Sequence, residues 1–160
     1  MTDMQKRIAL RVRPVAPADE AAWRRLWLCY CDFYAVKIPA HITNDLWRRI
    51  MDPAYQVHAL VAEGMAGEVR GRVIGIANYI LHPYTWGSEY ICYLEDLFVL
   101  EDLRRNGAGR ALIEALVGMA KKQGWARVYW HTHEQNKTAR SLYDGIVPRD
   151  PFVRYVVRLI

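Results

Sequence analysis

Residues 93–145 read YLEDLFVLEDLRRNGAGRALIEALVGMAKKQGWARVYWHTHEQNKTARSLYDG, and the architecture is decided there. The stretch begins inside SEYICYLEDLFVL, a long strand-like run, and passes into the polar, glycine-bearing EDLRRNGAGR. A helix follows, because Ala111, Leu112, Ala115, Leu116 and Met119 recur at helical spacing. Gly124 is its stop, since a glycine accepts the left-handed geometry that ends helices. ARVYWHTH reads as a further strand, and NKTARSLYDG as a short helix ending at Gly145. FVRYVVRLI, at the end of the chain, reads as a terminal strand.

Working backwards, VHALVAE and RVIGIANYIL are two more strands, joined by the glycine-rich GMAGEVRG. Adjacent strands with short links imply an antiparallel meander. Upstream again, Trp23, Trp27, Tyr30 and Tyr34 form the stripe of an amphipathic helix that Pro39 stops. Thr43 reads as the N-cap of a second helix through NDLWRRI, closed by Asp52-Pro53. LRVR and its neighbours, residues 9 to 13, open the chain as a short strand ended by Pro14 and Pro17. The order is strand, two helices, three strands, helix, strand, helix, strand. No repeat or linker interrupts residues 1–160, so one α/β domain around a mixed, mostly antiparallel sheet flanked by helices is expected.

Composition narrows the class. The chain has 160 residues, of which 52% are hydrophobic and 24% charged, a globular profile with length enough for a real core. No apolar run approaches the ~20 residues needed to cross a bilayer. The opening MTDMQKRIALRVRP carries charge but no apolar h-region, so no secretory signal is expected. Cys29, Cys31 and Cys92 make no disulfide framework, which implies reduced thiols in a cytoplasmic setting. Net charge is +5, which suits a polyanionic ligand as well as nucleic acid. The cationic residues are scattered and no base-reading motif is present, so a nucleic-acid partner is not expected, and neither is a membrane.

The sharpest local chemistry is Arg104-Arg105-Asn106-Gly107-Ala108-Gly109-Arg110 between strand and helix. Glycines let the backbone turn tightly and approach a ligand. The first amides of a helix have no internal partner, and with the helix dipole they make an anion site. Three arginines add positive charge. The residues therefore ask for phosphate or pyrophosphate. A Walker loop is excluded, because Lys followed by Ser or Thr is missing after the glycines. A dinucleotide fingerprint fits poorly, because the preceding strands read as antiparallel.

In this context the 93–145 stretch resembles the core of the GNAT superfamily of N-acetyltransferases, and is closest in flavour to the small histone- and polyamine-type acetyltransferases. The resemblance rests on the Arg-x-x-Gly-x-Gly signature at Arg104, Gly107 and Gly109, and on Leu97-Phe98-Val99 as the strand before it. It also rests on Asn136, Ala139 and Tyr143 as Asn-x-x-Ala-x-x-x-Tyr, and on the element order of the whole chain. It implies acetyl-CoA as co-substrate and no metal. The pyrophosphate would rest on the amides of Arg104, Arg105, Asn106, Gly107, Ala108, Gly109 and Arg110. Leu97 and Val99 would offer backbone groups to the pantetheine arm, with the amide near Val99 polarising the thioester carbonyl. Asn136 would touch the same arm, and Tyr143 would protonate the departing thiolate.

The acceptor amine must lose a proton before it attacks. Glu95 is the first candidate base, because LED before the signature strand resembles the acidic base position of the polyamine enzymes. His133 or a water relay are the alternatives. Strand alternation would put Glu95, Leu97 and Val99 on one face and Asp96 on the other, leaving Asp96 behind the base or on a separate substrate contact. His131 and His133 would share a strand face, but no third zinc ligand accompanies them. Most of Trp23, Trp27, Tyr30, Phe33, Tyr34 and Trp47 read as core, while Asp32, Tyr30 and Tyr34 could help hold a cationic amine.

The expected activity is direct transfer of acetyl to a primary amine: a polyamine, a small amine, or a lysine side chain of a basic peptide. The alternative is a non-catalytic acyl-CoA-binding sensor or partner module. DGIVPRDPF, where the family often continues to Gly-Phe, departs from the pattern, and a homodimer is expected by analogy alone.

Overall fold

The computed structural model describes residues 8–159. Residues 1–7, which begin the opening segment considered for a leader, and Ile160, the end of the expected terminal strand, lie outside the described residues. The elements are β1 (Leu10–Pro14), α1 (Glu20–Phe33), α2 (Ala40–Met51), β2 (Val57–Gly64), β3 (Val73–Pro83), β4 (Tyr90–Val99), α3 (Ala108–Gln123), β5 (Arg127–Trp130) and α4 (Lys137–Asp144). The strands form one sheet in the order β1-β2-β3-β4-β5. Pairing is antiparallel from β1 to β4 and parallel between β4 and β5. A parallel partner needs a crossover, and α3 supplies it.

The helices cover opposite faces. On one face α1 and α2 bring Trp23, Leu26, Trp27 and Trp47 against Val61, Ile76 and Phe98 of the sheet. On the other, Leu112, Ile113 and Leu116 of α3 lie on Leu60, Ile74, Cys92 and Leu94. The aromatic stripe of α1 is thus core as far as Trp27, whereas Phe33 and Tyr34 emerge into solvent at its end.

Four local expectations are corrected. Thr43 is not a cap: α2 begins at Ala40 behind Pro39, and buried Thr43 accepts a hydrogen bond from Trp27 Nε1 at 3.2 Å. The strand alternation fails at Glu95. Asn78 pairs with Asp96 and Tyr79 with Leu94, so Glu95 is the extra residue of a β-bulge. Leu94 and Leu97 consequently both pack on the α3 side. The strand read in ARVYWHTH is also shorter than expected, because β5 pairs only with Ile91–Leu94 and ends where β4 bends at the bulge. His131 and His133 therefore lie beyond it in irregular chain, and His133 Nδ1 accepts the Gln135 amide at 3.2 Å. The fourth correction is FVRYVVRLI, whose described residues form no strand. Phe152, Tyr155 and Leu159 are 88%, 90% and 88% exposed, because among the described residues no strand lies beside them to complete a ladder.

Charge ties β1 to the start of α1 and to β2. Arg13 donates to both carboxylate oxygens of Asp19, at 2.6 and 2.9 Å, and to Glu63 of β2 at 3.0 Å. The Arg13 hydrogen bond holds the nearly buried Asp19 carboxyl below its ordinary range. A depressed carboxyl contributes stability that is present above its unfolded value and lost as pH falls through the native one. Asp19→Asn is expected to cost about 1.5–3 kcal/mol at pH 7. The deficit should shrink below about pH 4. Urea midpoints of both proteins at neutral and acid pH check this.

Candidate active site

The site forms where the sheet stops closing. β4 runs on past β5 from Glu95 to Val99, with no strand among the described residues on its outer side. Its inner side stays paired with β3 through Val99. Leu100 gives its N–H to Ile74 on β3. Alternation then turns the backbone groups of Leu97 and Val99 to the open edge. The Val99 carbonyl there accepts Arg104 Nε at 3.1 Å, and the Leu97 groups and the Val99 amide face outward.

Beside this edge lies a small cleft lined by Tyr30, Tyr34, Glu95, Leu97, His131 and Tyr143, among others. Glu95 and Tyr143, expected at the reacting centre, are brought together here, and His131 joins them. His133 is not among the lining residues. Tyr143 sits on α4 with its ring edge against Trp130 at 5.5 Å. Burial, and then Tyr34, push its hydroxyl up to about 12. The Glu95 carboxyl is raised by desolvation and then by neighbouring Asp96, with Arg49 and Arg154 opposing. Two groups that hold protons more tightly than usual therefore face one cleft.

Asp96 points the other way. It is 9% exposed and lies on the α1 side, where Asn78 Nδ2 donates to it at 3.1 Å. The Tyr30 hydroxyl lies on the same side and favours the charged form of this carboxylate. Asn78 Oδ1 in turn accepts from Trp23 Nε1 at 3.0 Å. Burial raises the Asp96 carboxyl, and these donors restrain the rise. This chain of bonds fixes the strand behind Glu95. The sequence singled out Asp96 and Trp23 but not Asn78: an uninterrupted antiparallel count across the β3–β4 link pairs Asn78 with Glu95, and only the bulge brings it opposite Asp96.

The glycine loop has the left-handed geometry that its residues suggest. Arg105 has φ 64° and Gly107 φ 90°, and Gly107 precedes the first turn of α3. A Cβ on Gly107 would meet nothing, so there is open space at this glycine, just before the first amides of α3, which have no partner within the helix. Gly109 is needed for a different reason: a Cβ there would come 3.1 Å from Leu142 Cδ2, so it admits α4. Ala108 is buried in the α3 core. The arginines are largely committed elsewhere. Arg104 lies over Phe33 and Phe98, 5.1 and 5.2 Å from the ring centres. Arg110 donates to the Gly145 carbonyl at 3.2 Å. Asn106 donates weakly to Leu103 at 3.4 Å, and exposed Arg105 has no side-chain partner among the described residues. Asn136 caps α4, accepting the Ala139 amide at 3.2 Å. Phe98 faces the α1 core, and Val99 the α3 core. Among the described residues no group of three metal-ligating side chains converges, and no helix is long and apolar enough to cross a membrane.

Comparison with known proteins gives a consistent picture. The family model described as acetyltransferase (GNAT) family matches residues 21–145. The D-amino-acid N-acetyltransferase of Saccharomyces cerevisiae is 33% identical over 144 residues, covering 90% of this chain and 88% of that protein. A crystal structure of a probable acetyltransferase superposes with a TM-score of 0.82 at 17% identity, over 94% of this chain and 98% of that one. AAC(6')-Iy, solved with the bisubstrate analogue CoA-S-monomethyl-acetylneamine, superposes with a TM-score of 0.74 at 19% identity, over 94% and 99% of the two chains.

Gly107 and Gly118 should respond oppositely to alanine. Gly107→Ala forces a side chain into the left-handed region and is expected to cost about 1–2 kcal/mol. Gly118→Ala, inside α3 where a Cβ would meet nothing, is expected to gain about 0.5–1 kcal/mol. Chemical denaturation of the two variants beside the wild type measures both signs.

Proposed function

The chain belongs to the acetyltransferase (GNAT) family, and from that membership we propose how its own residues share the work of moving an acetyl group from acetyl-CoA to an amine. The coenzyme supplies an acetyl group activated as a thioester. Three features of this chain suit such a co-substrate: the unpaired outer edge of β4, the open space over Gly107, and the Thr132 hydroxyl, shut away from water without a partner just beyond β5.

In this reading the amides from Arg105 to Arg110 hold the pyrophosphate, with Arg105 as the free cation. Arg104 and Arg110 shape the loop by fastening it to β4 and to the end of α4. Leu97 and the Val99 amide receive the pantetheine arm along the open edge, and the Val99 amide polarises the thioester oxygen. Asn136, its Oδ1 used in the cap, keeps Nδ2 for the same arm. Phe98 and Ala108 serve by packing. Glu95 takes the proton from the acceptor ammonium, directly or through water. Tyr143 keeps its hydroxyl proton at neutral pH and delivers it to the leaving sulfur. The observation that carries the reading is the meeting of Glu95 and Tyr143 in one cleft beside the unpaired edge of β4.

The acceptor is a small primary amine. The name of the yeast relative, D-amino-acid N-acetyltransferase, supports free amino acids as the first class to try, ahead of polyamines and basic peptides. Three unpaired thiols support a reducing, cytoplasmic setting. The exposed apolar side chains at 152–159 support a homodimer whose second copy covers them.

The test is thiol release from acetyl-CoA across a panel of amino acids, alkylamines, spermidine and a lysine peptide. Turnover with small amines is expected; none with any amine overturns the reading. Acetyl-CoA at 100 times its Kd should add about 2.7 kcal/mol of stability. Tyr143→Phe and Glu95→Gln are each expected to lower kcat about 100-fold while that stabilisation persists. The wild-type rate should fall as pH drops through the raised Glu95 value, because the protonated acid cannot accept a proton. Glu95→Gln should lose that limb of the pH profile.

A further inference from the structure

The face of the sheet that carries α1 and α2 is not covered to its end. Tyr93 of β4 and Tyr129 of β5 are direct partners in the parallel ladder. Cys92 and Leu94 turn to the α3 core, so Tyr93 turns to the opposite face, and neither Tyr93 nor Tyr129 belongs to the core under α1 and α2. Their rings stack at 5.1 Å between centres, with 21° between planes. His131 stands edge-on to both, at 5.4 and 5.9 Å. On the far side His82 of β3 stands at 90° to Tyr129, with its Nε2 3.0 Å from the Tyr129 hydroxyl.

The result is a row of four rings across three strands, about 10 Å wide. Tyr93, Tyr129 and His82 are only half-buried, and His131 is exposed. The polar tips are engaged with one another, since His131 Nδ1 also lies 3.4 Å from the Tyr93 hydroxyl, so what the row presents outward is ring surface. It is continuous with the cleft, because His131 lines that cleft together with Glu95 and Tyr143. An amine held at Glu95 can therefore lay its substituent along this floor.

We infer that Tyr93, Tyr129, His131 and His82 form the acceptor-body subsite of this cleft, and that it takes primary amines bearing an aromatic ring in preference to aliphatic polyamines. The inference rests on the acetyl-transfer reading and names the substrate class of that same site. Ring against ring gains from stacking and edge contacts beyond simple burial. A polyamine would instead bring further ammonium groups beside Arg154, whose charge is felt at Glu95, Tyr93 and His131. Although His131 is exposed, partial desolvation among these rings and then the charge of Arg154 lower its imidazole, which suits a floor for a planar apolar group.

The experiment compares kcat/KM for 2-phenylethylamine, propylamine and spermidine. Wild type is expected to favour 2-phenylethylamine over propylamine about tenfold, with spermidine the poorest. Tyr129→Ala should bring the phenylethylamine-to-propylamine ratio to within about twofold of one, and Tyr129→Phe should restore it. A merely structural role would lower both values together and leave the ratio intact. His82→Leu, at the far end of the row, gives a second reading of the ratio if Tyr129→Ala does not fold. Equal use of the two amines by wild type, spermidine as the best acceptor, or a ratio that survives Tyr129→Ala overturns the subsite. Acetyl-CoA-induced stabilisation and turnover of propylamine are followed on the same preparations. Their absence in wild type overturns the transfer reading itself, whereas turnover without ring preference overturns the subsite alone.

Discussion

One unmade pairing governs the molecule. β4 is held by β3 along its length, yet β5 accompanies it only from Ile91 to Leu94. An unpaired strand edge exposes donors and acceptors that are costly wherever water is excluded, so a sheet normally closes or blunts such an edge. Here the bulge at Glu95 bends β4 just where β5 ends, and the two strands part. The gap is therefore a consequence of register, and its inner wall is rigid because β3 still holds the other edge. The glycine loop, the cleft and the aromatic row all take their places from that fork.

What keeps the fork open is polar. On the α1 side, Trp23, Asn78 and Asp96 form a continuous hydrogen-bonded set under the bent part of β4. A partner lost from such a set leaves a buried acceptor unsatisfied, which costs more than the bond itself contributes. On the loop side, Arg104 returns to the Val99 carbonyl and lies on two phenylalanine rings, and Arg110 reaches the end of α4. The arginines of the signature are thus chiefly clamps. In the proposed reading phosphate recognition falls to backbone amides, which cannot swing away.

The sequence disclosed what local rules govern. Helix periodicity and Gly124 placed α3; alternating apolar runs placed β2 to β4; the spacing of Arg104, Gly107 and Gly109 marked the loop. It misled where a long-range register decides. A bulge is set by how β4 meets β3, so no count along β4 alone puts Glu95 out of step. Trp130 is followed by residues that look equally strand-like, and β5 stops there because its partner has turned aside. FVRYVVRLI has strand composition but lacks a ladder to join, and composition does not reveal a missing neighbour. The aromatic row was hidden for the same reason: Tyr93, Tyr129 and His82 are distant in sequence and meet only through register.

The placement of the cysteines bears on the route of transfer. An acetyl-enzyme route needs a nucleophile at the cleft, and a thiol attacks as its thiolate. Cys92 lies only three residues before Glu95, but it turns into the α3 core, is fully buried, and has its thiol pushed up to about 12 by burial. Cys31 is buried in the core beneath α1, and burial together with Asp96 raises it too. Neither lines the cleft where Glu95 and Tyr143 meet. In the roles proposed for them, Glu95 and Tyr143 suit the opposite division of labour, one removing a proton from the amine and the other supplying one to the sulfur within a single encounter. If the fork seats both substrates side by side, as proposed, it favours direct transfer, because the geometry then replaces the covalent intermediate.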